Sequence, residues 1–190
     1  MWGDFVCGRY CLYDDGNEEL RAILDRTEGD YKIGEVFPTD KAPVLIQQDG
    51  SIHPQAVVWG FPAFRGKGVL INARAETVLE KPMFRNSIQT KRCVIPSSGF
   101  FEWSHDKQKT KYQFNLPGTE VLYMAGLYQD FEDSRRFVIL TEPANESMIE
   151  VHTRMPLVLS KDSIPSWLGS IGGAANLLQV AGPELTKKAI

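Results

Sequence analysis

Between Arg92 and residue 141 the chain runs through four β-prone stretches, 92–103, 111–116, 120–128 and 136–141, with only turn-length breaks between them. Parallel neighbours in one sheet need a crossover of a dozen or more residues, usually a helix. Strands spaced this closely must therefore pair mainly antiparallel. The same holds upstream, where 43–48 and 54–59 flank Asp49-Gly50, the residue pair of a tight hairpin turn. A short strand is expected at 5–12, ended by the Asp14-Asp15-Gly16-Asn17 break. Asn17 reads as the N-cap of a helix whose apolar face is Leu20, Ile23 and Leu24. A Gly-rich loop at 66–68 precedes one or two short helices over 74–89, broken near Pro82. Further signals predict a short helix near 144–150, a strand near 156–160, helices near 162–168 and 173–179, and a polar tail. With 190 residues, 43% of them hydrophobic, the chain has the size and apolar content of one globular domain. The expected fold is a single α+β domain, a curved and mainly antiparallel β-sheet with a barrel-like core and short peripheral helices.

No apolar run approaches the ~20 residues of a bilayer span, and the first residues carry no basic segment of a secretory leader. Three cysteines make no closed disulfide framework and suit a reducing compartment. A cytoplasmic protein with no membrane partner is expected. The formal charge of −3 argues against bulk nucleic-acid binding, but the charge is segregated. Residues 65–111 hold ten Lys and Arg against four Asp and Glu, while the rest of the chain is acidic. Such a segment is either a phosphate-attracting patch or an ordinary solvated face.

Four polar stretches interrupt the strand-like sequence: Cys7-Gly8-Arg9-Tyr10, Asn72 to Thr77, Arg92 to Trp103, and His152 to Pro156. Each has a structural explanation by itself. Cys7 fits a small buried hydrophobe, Asn72 a cap or turn, and His152 a hydrogen-bonded structural histidine. Glu102, between Phe101 and Trp103, alternates onto the face opposite them, the solvent side of a half-buried strand. Cys7 and Cys11 have a spacing that zinc sites use, yet no second ligand pair accompanies them, and Cys93, His53 and His105 sit in unrelated contexts. No metal and no cofactor is expected.

Taken together, the stretches resemble the SOS response-associated peptidase (SRAP) family, whose members share Cys-Gly-Arg at the start, Asn-Ala-Arg-x-Glu, Cys-x-Ile-Pro-x-x-Gly-Phe-x-Glu-Trp and His-x-Arg-Met-Pro. Here they read Cys7-Gly8-Arg9, Asn72-Ala73-Arg74-Ala75-Glu76, Cys93 through Trp103, and His152-Thr153-Arg154-Met155-Pro156. In the family the cysteine directly follows the initiator Met. Here Val6 stands in that place, so residues 1–5 read as an N-terminal extension, either a pro-segment or a misassigned start, ahead of a domain at 6–190.

The resemblance implies an abasic-site sensor of the bacterial DNA damage response, cytoplasmic and nucleoid-associated when DNA is damaged. At a free N-terminus, the α-amine of Cys7 would attack the ring-opened sugar of an abasic site in single-stranded DNA. The neighbouring thiol would then close a thiazolidine ring. Asn72, Glu102 and His152 would complete the catalytic set, the last two moving protons. Arg9, Arg74 and Arg154 would hold phosphates, and Pro38, Trp59, Phe61 and Trp103 would stack on or wedge between bases. Arg85 joins the DNA-binding group, with a plain surface charge as the alternative for it and for Arg92. The rival functions are a thiol autopeptidase that removes its own extension and a non-covalent single-strand or modified-DNA binding module. A monomer is expected.

Overall fold

The structure is a computed structural model and describes residues 7–14, 16–63 and 68–190. The predicted extension, Val6 and most of the Gly-rich loop lie outside the described residues. Strands are numbered in chain order. One sheet runs β15 (Thr186–Ala189), β10 (Lys111–Asn115), β9 (Gly99–Trp103), β1 (Tyr10–Leu12) and β2 (Gly34–Val36). The larger sheet runs β13 (Arg154–Pro156), β12 (Arg135–Pro143), β4 (Ser51–Trp59), β3 (Lys41–Gln48), β8 (Arg92–Ser97), β11 (Leu122–Asp130) and β14 (Val158–Leu159), with β7 (Asn72–Arg74) beside β12. A small ladder joins β5 (Phe61–Pro62) to β6 (Val69–Leu70). Short helices α1 (Glu18–Asp25), α2 (Pro82–Thr90), α3 (Ile164–Gly169) and α4 (Ile171–Leu177) complete the α+β domain.

Strand β12 makes the large sheet close on itself. It pairs with β11 along one stretch and with β4 along another, and β4, β3, β8 and β11 are linked in turn. The ring is the barrel-like core expected from the closely spaced strands. Most pairings are antiparallel, but β4 and β7 both run parallel to β12. Every residue of β8 is buried, because the barrel interior covers one face and helices α2 and α3 cover the other.

The predicted strand at 92–103 is two strands in two different sheets, and the chain changes sheet at Ser98-Gly99. Gly99 has φ 134°, and a Cβ there would stand 2.7 Å from both the Phe114 carbonyl oxygen and Asn115 Nδ2. Only glycine makes this corner without strain. Over 74–89 there are two short helices, a 3-10 turn at Ala75–Thr77 and α2, and Pro82 begins the second, since a missing N–H costs nothing at the first helical position. At 144–150 there are turns but no α-helix. The Asn145 side chain accepts from the N–H and hydroxyl of Ser147 and donates to the carbonyls of Gly182 and Pro183, which competes with helix propagation. The expected polar tail is in part an edge strand, β15, in register with β10. Asn17 caps α1 as expected, its Oδ1 accepting from Leu20 N–H at 2.8 Å.

Candidate active site

Register places the polar stretches around one end of β12. On one edge β7 pairs Asn72 with Ile139 and Arg74 with Thr141, and on another β13 pairs Pro156 with Thr141 and Arg154 with Pro143. His152 therefore sits just before a strand that shares a neighbour with Asn72 and Arg74. The N-terminal stretch arrives from the other sheet. Tyr10 is level with Phe100, and Phe101 N–H donates to the Arg9 carbonyl, so the chain before β1 runs alongside Glu102.

Glu102 does not face solvent. It is 7% exposed, and the expectation of a solvated carboxylate fails because the Cys7 segment lies against that side of β9. Its Oε2 accepts from the backbone N–H of Cys7 at 2.9 Å, and its Oε1 accepts from the N–H of Trp103 at 3.2 Å. Burial raises the pKa of this carboxyl, while the two N–H donors and the charges of His152 and His105 pull the other way. Cys7 is fully buried with its Sγ 4.0 Å from Met124 Sδ, and its φ of 50° is left-handed, rare outside glycine. Burial pushes the thiol well up, and the charges of Glu102 and Cys11 add to the effect. Cys7 therefore carries a thiol at neutral pH, unlike the thiolates of dedicated cysteine peptidases. His152 is 4% exposed, and its Nδ1 accepts from Arg154 N–H at 3.0 Å, which leaves the proton of the neutral ring on Nε2. Both polar atoms of the Asn72 side chain are buried with no hydrogen-bond partner among the described residues. The ensemble is a buried thiol, a carboxylate on the adjoining backbone nitrogen, an imidazole and an uncommitted amide. Among the described residues, no group of three or more His, Cys, Asp or Glu side chains is arranged to hold a metal ion.

The model of the SOS response associated peptidase (SRAP) family matches residues 6–188. The chain belongs to that family. Among its relatives, abasic site processing protein YoaM of Bacillus subtilis (strain 168) is 31% identical over 191 residues, spanning 92% of this chain and 84% of that protein. Abasic site processing protein YedK of Escherichia coli (strain K12) is 29% identical over 177 residues, spanning 86% and 79%. Abasic site processing protein HMCES of Gallus gallus is 28% identical over 204 residues, spanning 84% and 61%. Crystal structures of a Bordetella bronchiseptica protein (TM-score 0.80, 19% identity, 97% of this chain and 99% of that one) and a Bacteroides thetaiotaomicron protein (TM-score 0.78, 24% identity, 97% and 92%) share the fold.

In this SRAP chain two of the residues read as base-stacking platforms are core. Trp59 is 0% exposed, stacks on Phe137 at 6.1 Å, packs on Tyr10 at 5.2 Å, and donates its indole N–H to the Ile71 carbonyl. Phe61 is buried against Phe131 and Phe84. Neither has a ring face left for a base, because both sit where the barrel needs volume. Phe37, by contrast, is an exposed aromatic, 39% accessible and next to the half-buried Pro38. The Arg9 guanidinium lies over its ring at 4.3 Å and over the Trp103 ring at 4.8 Å. Lys111 continues the stack over Phe101 and Trp103, and Glu35 binds Arg9 at 3.0 Å and Lys111 at 2.6 Å. Phe37, Glu35 and Lys111 escaped the sequence reading because cross-strand neighbours across β2, β9 and β10 leave no local motif.

Among the described residues, the basic segment does not form a single track. Arg92 is buried, and Lys91 and Lys111 are paired with Asp130 and Glu35. Arg154 is not a free phosphate ligand: its guanidinium holds both oxygens of Glu76 at 2.6 and 2.9 Å and the Thr141 carbonyl at 2.6 Å. It fixes the β7–β12–β13 junction instead. Arg74 is exposed beside that junction, while Arg85 is exposed on α2 and bonded to the Glu80 carbonyl.

Proposed function

We propose that this protein captures abasic sites in single-stranded DNA covalently, through the α-amine and thiol of Cys7, and that it frees this amine by cleaving its own chain before Cys7. The abasic site as target follows the names of its relatives. The observation that carries the rest is the 2.9 Å hydrogen bond from the Cys7 backbone nitrogen to Glu102 Oε2. It sets an acid–base group on the nitrogen that self-cleavage frees and capture then consumes.

In self-cleavage the Cys7 Sγ attacks the Val6 carbonyl carbon, and the C–N bond breaks. The thiol proton travels by way of Glu102 to the departing nitrogen, leaving a thioester that water hydrolyses. The left-handed φ at Cys7 places backbone strain at the residue whose bond is to break. In capture the amine attacks the sugar aldehyde to give an imine, and Sγ adds to the imine carbon. The aldehyde oxygen leaves as water with one hydrogen from nitrogen and one from sulfur. Asn72, with both amide groups uncommitted, holds the sugar oxygens or the amine without titrating. General peptidase action on other chains is not part of the proposal, because the Cys7 thiol is buried and held protonated.

Glu102 must be ionised to accept a proton. The capture rate of a chain beginning at Cys7 is therefore expected to rise with pH as Glu102 ionises, above the ordinary carboxylate range because its pKa is raised. Glu102→Gln should lose this rise and slow capture by about a hundredfold, as loss of a general acid–base group does. Rates on denaturing gels across pH test it, and an unshifted profile in the variant would remove Glu102 from the chemistry.

Arg74 is assigned the phosphate next to the abasic sugar, and the Arg9–Phe37–Trp103 stack a flanking base. Arg74→Glu should weaken single-strand binding and reduce its log–log salt slope by about 0.7 for each phosphate the protein no longer neutralises. Glu102→Gln should leave that slope unchanged. Fluorescence anisotropy at several salt concentrations measures both, and an unaltered slope in Arg74→Glu would put the strand elsewhere.

A further inference from the structure

His105 stands two residues past Trp103, outside the four motif stretches. Its loop is tightly built. Ser104 N–H donates to the Thr110 carbonyl and Thr110 N–H to Ser104 Oγ, both at 2.9 Å. Asp106 Oδ1 accepts from Ser104 Oγ at 2.7 Å and from the N–H groups of Gln108 and Lys109 at 3.1 and 3.0 Å. The loop holds the exposed His105 ring 5.2 Å, centroid to centroid, from the buried His152 ring, tilted by 43°. Both imidazoles act electrostatically on Glu102.

The proton traffic of capture needs more than one carrier. A buried thiol must give up a proton while a hydroxyl receives one and leaves as water. Glu102 carries one proton at a time. His152 is buried, 4% exposed, and cannot exchange a proton with solvent directly. Among the described residues, no hydrogen bond occupies either nitrogen of His105, and solvent reaches it.

We infer that His105 is the residue through which the Cys7 site exchanges protons with solvent, passing them to and from the Glu102–His152 pair. This rests on the capture reading above and adds a group to it. His105 touches neither sulfur nor nitrogen of Cys7, so it is a positioning and relay residue rather than a catalytic one. No proton is gained or lost overall. The thiol proton leaves through Glu102 and the two neighbouring imidazoles, an equivalent proton reaches the departing hydroxyl, and His105 returns to its starting form. The titratable groups facing it are Glu102 on β9 and His152 before β13, with Asp106, Lys107 and Lys109 on its own loop, where Asp106 is committed to the loop's hydrogen bonds.

The test uses chains beginning at Cys7 and a single-stranded oligonucleotide with one abasic site. Covalent capture is followed against pH for the parent, His105→Ala and His105→Gln, with reversible binding to an intact oligonucleotide measured alongside. Both variants should bind as the parent does and capture roughly tenfold more slowly, with a flatter dependence on pH. Added imidazole should restore much of the rate to His105→Ala, which a purely structural role would not allow. An unchanged rate and profile in both variants would overturn the inference, as would slowing that imidazole does not relieve. If the parent itself forms no adduct, the capture reading fails and this inference fails with it, a result distinct from parent and variants capturing alike.

Discussion

A chain carrying residues 1–6 and unable to remove them should bind abasic single-stranded DNA yet give no adduct that survives denaturing electrophoresis. The same chain beginning at Cys7 should give a strong one. The difference is set by one nitrogen. With Val6 attached, that nitrogen is an amide whose lone pair is delocalised into the carbonyl, and it cannot form an imine. Freed, it is an α-amine with an ordinary pKa of about 7.7–8.0, neutral in part at physiological pH. The hydrogen bond to Glu102 then falls on an amine instead of an amide. The thiol alone still adds to an aldehyde, but the resulting hemithioacetal reverses readily. Cys7→Ala at the same start should give no stable adduct, and Glu102→Gln in the longer chain should keep residues 1–6 where the parent loses them. An uncleaved chain that crosslinks as fast as the shortened one would contradict the mechanism.

Arg92→Ala should be among the most destabilising single changes in the protein, at about 3–5 kcal/mol. Arg92 is 7% exposed, and its guanidinium serves four carbonyls that end two helices. Nε donates to Trp167 and Nη2 to Leu168 at the end of α3, while Nη1 donates to Ile88 and Gln89 at the end of α2. Terminal helix carbonyls have no partner within the helix and carry the negative end of its dipole, so a buried cation satisfies them in both respects. Alanine leaves them buried and unpaired. In a domain of this size the loss corresponds to a fall in melting temperature of roughly 10 °C. Arg92→Lys keeps the charge but lacks the planar fork, and should recover only part of the loss. Thermal and urea denaturation measure both, and a shift of less than about 1 kcal/mol in Arg92→Ala would mean that the carbonyls find other partners.

Much of the fold was legible because it depends on local signals. The Asn17 cap, the Asp49-Gly50 turn and the close succession of strands each act within a few residues and survived into the structure. Closure of the barrel was less legible. It depends on β12 meeting β4 and β7 in parallel, pairings across more than 60 residues that leave no periodicity. The Ser98-Gly99 corner was hidden inside an unbroken β-prone run, where a single glycine changes the sheet. At the candidate site, Cys7, Asn72, Glu102 and His152 were singled out through motifs rather than through environment. Residue type alone pointed to a solvated Glu102, and only the arrival of the Cys7 segment over β9 buries it. The aromatic residues misled for the opposite reason. Trp59 and Phe61 have the chemistry of base platforms, but the barrel takes them, and Phe37 is left exposed instead.

The most direct measurement is the intact mass and peptide map of the protein after it meets an abasic oligonucleotide. Thiazolidine formation joins the two molecules with loss of one water, consumes both the amine and the thiol of Cys7, and leaves Cys11 and Cys93 alkylatable after unfolding. The expected adduct therefore has the summed mass of a chain beginning at Cys7 and the DNA, less one water, with the linkage mapping to Cys7 alone and its thiol closed to alkylation. An adduct that maps to a lysine, or one in which the Cys7 thiol still reacts with the alkylating agent, would contradict it.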